Sequence, residues 1–186
     1  MTSVQDAMRS VDRRDFLPPD QREHAGLDRP LPIGWEQTNS QPSTVANMLE
    51  LLHVLPTQRV LDLGAGSGWT TALLGRLVGP DGEVIGVELQ PKLAAWGAAN
   101  VQAYDMAWTA VHEAQPGILG WPQGAPYDRI LVSAEADELP MALTDQLRVG
   151  GVLVIPVRGQ LLRVSATAAG GFETAEHGPY RFVPLR

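Results

Sequence analysis

RVLDLGAGSGW, residues 59–69, decides the fold. Val60, Leu61 and Leu63 form a short apolar run suited to a buried strand. Gly64, Gly66 and Gly68 follow at every second position and predict a tight turn, with a helix starting at about Trp69. Glycine suits such a turn because it adopts backbone angles closed to other residues and lets a ligand approach the main chain. The next apolar run, residues 83–87, ends in Glu88. An acidic side chain about 20 residues beyond the glycines is placed to accept hydrogen bonds from both hydroxyls of a ribose.

Two cofactor classes compete for this turn. A dinucleotide turn has the spacing G-x-G-x-x-G and sets a helix N-terminus against a pyrophosphate. This chain has D-x-G-x-G-x-G from Asp62 to Gly68. A carboxylate inside the motif repels a pyrophosphate and attracts a cation, such as the ammonium or sulfonium of S-adenosyl-L-methionine. The motif therefore favours S-adenosyl-L-methionine over NAD. Glycines that merely turn the chain would leave the position of Glu88 unexplained.

The rest of the chain sets bounds on what the motif serves. Its 186 residues, 44% hydrophobic and 19% charged, suffice for one domain with a sizeable core. The net charge of −7 and the single lysine, Lys92, provide no basic face for phosphates, which disfavours a nucleic-acid partner. No apolar run approaches the ~18 residues of a membrane-spanning helix, and the N-terminus lacks a signal peptide's apolar core. The absence of cysteine rules out disulfides and thiolate metal sites and agrees with a cytoplasmic location. His24, His53, His112 and His177 are dispersed without ligand spacing, so no metal is expected. A monomer is expected.

Working outward, apolar spacing predicts a helix over residues 3–13 with Ser3 as its cap, leaving Arg13 and Arg14 on a solvated face. Residues 20–42 are rich in proline and non-periodic, and the polar run 36–41 predicts a surface loop. Helices are expected over 43–53, capped by Ser43 or Thr44, over 69–78, and from Pro91 to about 100. A short helix over 140–147 should stop at Gly150-Gly151. Strands are expected from Gln58, then over 83–87, 108–113, 127–133 and 152–157. An antiparallel pair should follow over 161–167 and 172–176, with 180–185 as a last edge segment. The sum is an α/β fold: a doubly wound, mostly parallel Rossmann-like sheet with an antiparallel C-terminal hairpin and an N-terminal helical and loop extension. A single domain spans 1–186, with 1–55 as the extension over the site and 56–186 as the core.

At this point the chain resembles the protein-L-isoaspartate O-methyltransferase family. The resemblance covers almost the whole sequence: DRPLPIG (28–34), Gln37, Thr38, Ser40 and Pro42, VLDLGAGSGW (60–69), APYDRI (125–130), the glycine pair and PV of 150–157, and FVPL (182–185) fall in the family's order. It implies a class I methyltransferase fold with an N-terminal extension covering the cofactor. It further implies methyl transfer from S-adenosyl-L-methionine, leaving S-adenosyl-L-homocysteine, to the α-carboxylate of an L-isoaspartyl residue in a damaged protein or peptide. Ser40, with Thr38 beside it, is the implied catalytic position near the methyl donor and the substrate carboxylate. For the cofactor, the resemblance implies Gly64, Ala65, Gly66 and Gly68 at the methionine part, Asp62 facing its ammonium, Glu88 on the ribose and Leu89 against adenine.

The chain departs from the family in three places. The family commonly reads IGHGQTISAPHM where this chain reads IGWEQTNSQPST, so Trp35-Glu36 replaces His-Gly, Asn39 replaces an apolar residue, and Gln41 a small one. After the third strand, the family's G-D-G turn is replaced by Ala114-Gln115-Pro116-Gly117. Depending on the gap, Gln115 or Pro116 stands at the adenine-binding position, and only Gln115 has a side-chain acceptor. Glu135 stands where small residues line the substrate side. Glu36 and Glu135 together would favour a neutral or cationic acceptor over a carboxylate if both face the pocket. A related methyltransferase with another acceptor, or a non-catalytic binding relative, are the alternative readings.

Overall fold

The computed structural model describes residues 2–186. Ser3 caps α1 (Val4–Ser10) through a capping box, its hydroxyl accepting from the Asp6 amide while the Asp6 carboxylate accepts from the Ser3 amide. 3₁₀ turns at Arg13–Phe16 and Pro19–His24 follow. The β-hairpin β1 (Leu31–Gly34) and β2 (Gln37–Asn39) then leads into α2 (Pro42–Leu52). Neither Ser43 nor Thr44 caps α2: its N-cap residue is Gln41, and the Asp28 carboxylate accepts from the Ser43 amide at 2.9 Å. A carboxylate at the positive end of a helix serves as well from a distant residue as from a local one.

The alternating part comprises β3 (Arg59–Leu63), α3 (Trp69–Val78), β4 (Glu83–Glu88), α4 (Pro91–Gln102), β5 (Thr109–Glu113), β6 (Tyr127–Val132), α5 (Met141–Thr144) and β7 (Leu147–Val157). β8 (Gln160–Ala166) and β9 (Phe172–Pro179) complete it. The 7-stranded sheet has the order β5-β4-β3-β6-β7-β8-β9, parallel from β5 to β7 and antiparallel from β7 through β9.

Alternation along the central strands divides the core between the two faces. Val60, Leu131, Val152 and Val154 join the apolar sides of α2 and α3, including Leu49, Leu73 and Leu74. Leu61, Leu63, Ile130, Val132, Leu153 and Ile155 pack with Leu143 on the opposite face. A sheet covered on both faces needs apolar residues at consecutive positions, which is why these strands read as continuous runs.

Several expectations change. The helix over 140–147 shrinks to α5, and β7 already begins at Leu147. Gly150, at φ +75°, lies inside that strand, where the pairing with β6 shifts register between Tyr127 and Arg129. Gly150-Gly151 thus marks a bulge rather than a helix stop. Residues 180–185 add no strand, only a bridge between Pro184 and Glu135. The polar run 36–41, expected as a surface loop, instead supplies the second strand of a hairpin over residues 31–39. Arg13 is buried at 5% exposure, contrary to the solvated face expected of it. No helix among the described residues is long and apolar enough to cross a membrane.

Candidate active site

The neighbours of β3 are β4 on one side and β6 on the other, so the chain leaves the two sides in opposite directions beyond their carboxyl ends. Open α/β sheets form their ligand crevices at such switch points. A cavity of about 620 Å³ lies there, within the range of small-molecule sites. Its wall is built from the β1–β2 hairpin, residues 63–67 after β3, residues 87–90 at the end of β4, residues 114–120 after β5, Ser133-Ala134 after β6, and the C-terminal residues 183–186. Segments distant in sequence thus meet at one end of the sheet.

The floor is the glycine turn. Gly64, Gly66 and Gly68 have φ of +81°, +55° and +90°, a region that side chains rarely occupy. The Gly64 and Ala65 amides donate to the Val87 carbonyl at 2.9 and 3.1 Å, tying the turn to β4. Glu88 completes the tie: one carboxylate oxygen accepts from the Gly66 amide and the other from the Gln90 amide, both at 2.9 Å. Each oxygen retains acceptor capacity for a further donor, so the carboxylate is both fixed and free to bind vicinal hydroxyls. Glu88 and Arg186 are the charged residues of the wall.

Asp62 is fully buried and absent from the cavity wall. Its Oδ2 accepts from the Thr70 and Thr71 hydroxyls at 2.7 and 2.6 Å in the first turn of α3, while Oδ1 is buried without a partner. Burial lifts its carboxyl from 3.8 to about 6, against the opposing pull of the Thr71 and Thr70 hydroxyls and with a smaller push from Glu88. An unpartnered acidic oxygen packed behind the glycine turn fits a cationic ligand in the cavity.

Asp62 links folding to pH. The folded value lies above the unfolded one, so between pH ~4 and ~6 the folded state keeps a proton that the unfolded state has lost. Stability of the ligand-free protein should fall as pH rises through that window, by about 3 kcal/mol at most. Urea melts between pH 4 and 7 should show this slope, and Asp62→Asn should flatten it. An unchanged slope in the variant would assign it to another group.

Gly68 is also absent from the wall and packs against α4. A Cβ there would lie 2.7 Å from Val101 Cγ2 and 2.8 Å from the Gly97 carbonyl oxygen. Gly97 answers it from α4, where a Cβ would lie 2.7 Å from the Gly66 carbonyl oxygen. The turn and α4 touch backbone to backbone.

Thr38 and Ser40 both line the cavity, as do Gly64, Ala65, Gly66, Glu88, Leu89 and Gln115. Sequence reasoning missed what holds Ser40. The Arg13 guanidinium sits behind the loop, donating from Nε to Asn39 Oδ1 at 2.7 Å. Its Nη2 donates to the carbonyls of Arg29, Asn39 and Ser40 at 2.8, 3.1 and 2.9 Å, and its Nη1 to those of Ala25 and Leu27 at 3.2 and 3.0 Å. The guanidinium also lies 5.4 Å from the Trp69 ring centroid. Burial lowers Arg13 to about 10, against a smaller opposing pull from the Asp28 carboxylate, and it is still charged at neutral pH.

The unexpected acids lie off the cavity wall. Glu36 is exposed at the hairpin tip, where Trp35 and Glu36 have φ of +50° and +59°. Trp35 lines the cavity and Glu36 does not. Glu135 holds the C-terminal segment instead: its carboxylate accepts from the Gly159 and Phe182 amides at 3.0 and 3.4 Å. Its main chain exchanges bonds of 2.7 Å with Val183 and Leu185. Gln41 donates to Asp28 and Ser43 and is not on the wall.

Comparison with known proteins agrees with this geometry. The family model described as Protein-L-isoaspartate(D-aspartate) O-methyltransferase matches residues 1–186. A protein-L-isoaspartate O-methyltransferase of Anaeromyxobacter dehalogenans is 48% identical over 98% of this chain and 88% of its own length. One from Methanopyrus kandleri is 44% identical over 98% of this chain and 82% of its own. Among solved structures, a protein-L-isoaspartate O-methyltransferase superimposes with a TM-score of 0.86 at 26% identity, covering 98% of this chain, which spans 61% of that one. A Plasmodium falciparum protein crystallised with S-adenosyl-L-homocysteine shares the fold, with a TM-score of 0.84 at 24% identity over 98% of this chain and 89% of its own. By its full-length match, its relatives and its fold, the chain belongs to the protein-L-isoaspartate(D-aspartate) O-methyltransferase family.

Proposed function

We propose that this chain transfers a methyl group from S-adenosyl-L-methionine to the α-carboxylate of L-isoaspartyl residues in damaged proteins and peptides, the first step of their repair. The observation that carries the reading is the meeting of the glycine turn and Glu88 with Thr38 and Ser40 around one cavity. When bound, the cofactor supplies an electrophilic methyl group on a sulfonium. An ionised carboxylate is already a nucleophile, so the chain needs no strong base. Its residues have to hold the carboxylate oxygen about 3 Å from the methyl carbon and in line with the bond that breaks. They also have to keep water away. Ser40 donates to the carboxylate, with Thr38 beside it. Glu88 holds the ribose hydroxyls, Leu89 lies against adenine, and Gln115 accepts from the adenine amine through its side-chain oxygen. Asp62 acts on the ammonium by its charge from behind the turn.

Residues 1–55 form the extension that covers the site, and 56–186 the core, in one domain. The chain works as a cytoplasmic monomer without nucleic acid; the net charge of −7 supports the absence of a nucleic-acid partner, and the lack of cysteine agrees with the location.

Ser40→Ala should lower kcat by about 10- to 100-fold, in line with the cost of losing alignment, while S-adenosyl-L-homocysteine affinity stays unchanged. Initial rates and calorimetric titration on the same sample check this. A parallel loss of cofactor affinity would make Ser40 a binding residue instead.

With Glu36 and Glu135 off the wall, the reason for a neutral or cationic acceptor disappears. Glu36→Gln should leave isoaspartyl turnover within about twofold, since an exposed charge acts weakly at a distance. A many-fold gain in kcat/KM would put an acid back in the substrate's path.

A further inference from the structure

Asn39 stands between the two halves of the site. Its side chain is buried and touches both: Oδ1 accepts from Arg13 Nε at 2.7 Å, and Nδ2 donates to Ser67 Oγ at 3.3 Å. The orientation of the amide is fixed, because the guanidinium can only donate and must meet the oxygen. Arg13 holds the Ser40 carbonyl with the same guanidinium. Ser67 is part of the cofactor turn, next to Gly66, whose amide is bound by Glu88. The Ser67 carbonyl is fixed in turn by Asn100 Nδ2 of α4 at 2.9 Å. Asn39 and Ser67 both line the cavity. An apolar side chain at position 39, the family's usual type, could make neither bond.

We propose that Asn39 is a positioning residue that couples the two ligands: through Ser67 it senses the cofactor turn, and through its own backbone it sets Ser40 for the acceptor carboxylate. The inference rests on the methyl-transfer reading above. At 3.3 Å the bond to Ser67 lies at the long end of the range for N–H···O. A cofactor seated against Ser67 on the cavity wall fixes the Ser67 hydroxyl, shortens this bond and removes freedom from the acceptor loop before the peptide arrives. The second ligand then binds to a loop already ordered, which is positive coupling without a large rearrangement. Coupling is reciprocal, so the peptide must raise affinity for the cofactor by the same factor.

The test is calorimetric titration of an isoaspartyl peptide into the protein with and without saturating S-adenosyl-L-homocysteine. Wild type should bind the peptide about 3- to 10-fold more tightly with the cofactor product present, the range expected of one hydrogen bond. Ser67→Ala should bring that ratio close to one, because the bond that links the two loops is gone while Arg13 still holds the acceptor loop. Asn39→Leu should also abolish the ratio. A merely structural Asn39 would lower the melting temperature and shift both affinities in parallel, leaving the ratio intact. A ratio retained in Ser67→Ala, or no ratio in wild type that methylates the peptide, overturns the coupling alone. A wild type that binds S-adenosyl-L-homocysteine but neither binds nor methylates the peptide overturns the functional reading and the coupling with it.

Discussion

Arg13→Ala should destabilise the protein by about 3–5 kcal/mol, the cost of removing the buried partner of several polar groups. The carbonyls of Ala25, Leu27, Arg29, Asn39 and Ser40 and the Asn39 amide oxygen all lose their donor at once. Simple addition over those bonds would give more, but water can enter the vacated space and satisfy part of them. The melting temperature should fall by about 10 °C for a domain of this size. Activity should fall further than the unfolded fraction explains, because the same guanidinium holds Ser40. Arg13→Lys should recover only a part, since an ammonium cannot present the planar fork that reaches Asn39 and the surrounding carbonyls together. Denaturant melts beside initial rates at a temperature where both variants remain folded would separate the two effects. Activity that tracks folding alone would reduce Arg13 to a structural anchor.

Gly97→Ala should also have a large effect, and its sign comes from two opposing magnitudes. Alanine in a helix gains up to about 1 kcal/mol over glycine. The added Cβ, however, would stand 2.7 Å from the Gly66 carbonyl oxygen, 3.2 Å from the Ser67 carbonyl carbon and 3.3 Å from the Gly68 amide nitrogen. These are backbone atoms of a turn already tied to β4 and Glu88, so they cannot step aside as a side-chain tip would. Overpacking of this kind costs about 1–3 kcal/mol, and relief comes from moving α4 or the turn. Net stability should fall by about 1–2 kcal/mol, and S-adenosyl-L-homocysteine affinity by tenfold or more, because the part that moves is the cofactor floor. The cofactor effect is the sharper readout. A variant with lowered stability but intact affinity would show that α4 yields and the turn does not.

Both predictions bear on what could be read from the chain alone. The strand, turn and helix of residues 59–78 were legible because apolar runs, glycines and Glu88 sit within one stretch of sequence and obey local rules. The parallel strands were legible for the same reason: Leu61, Ile130 and Leu153 belong to continuous apolar runs that only a doubly covered sheet explains. Arg13 was not legible. Its partners lie 12 to 27 residues away, and nothing in the local pattern distinguishes a guanidinium bound to carbonyls from one in water. The β1–β2 hairpin was missed because its strands are short, interrupted by Pro32 and joined through Trp35 and Glu36 at positive φ, where glycine is the usual signal. Glu135 looked like a substrate-side acid because its backbone partners in residues 182–185 come from the far end of the chain. Burial and pairing across long sequence separation were the missing information in each case.

The central claim is the identity of the methyl acceptor, and the direct measurement is transfer of labelled methyl from S-adenosyl-L-methionine to an isoaspartyl peptide beside the same peptide with normal aspartate. The account predicts labelling of the isoaspartyl peptide, loss of that label in mild base as expected of a carboxyl ester, and no labelling of the aspartyl peptide. Equal labelling of both peptides, or labelling of neither by a sample that binds S-adenosyl-L-homocysteine, would contradict it.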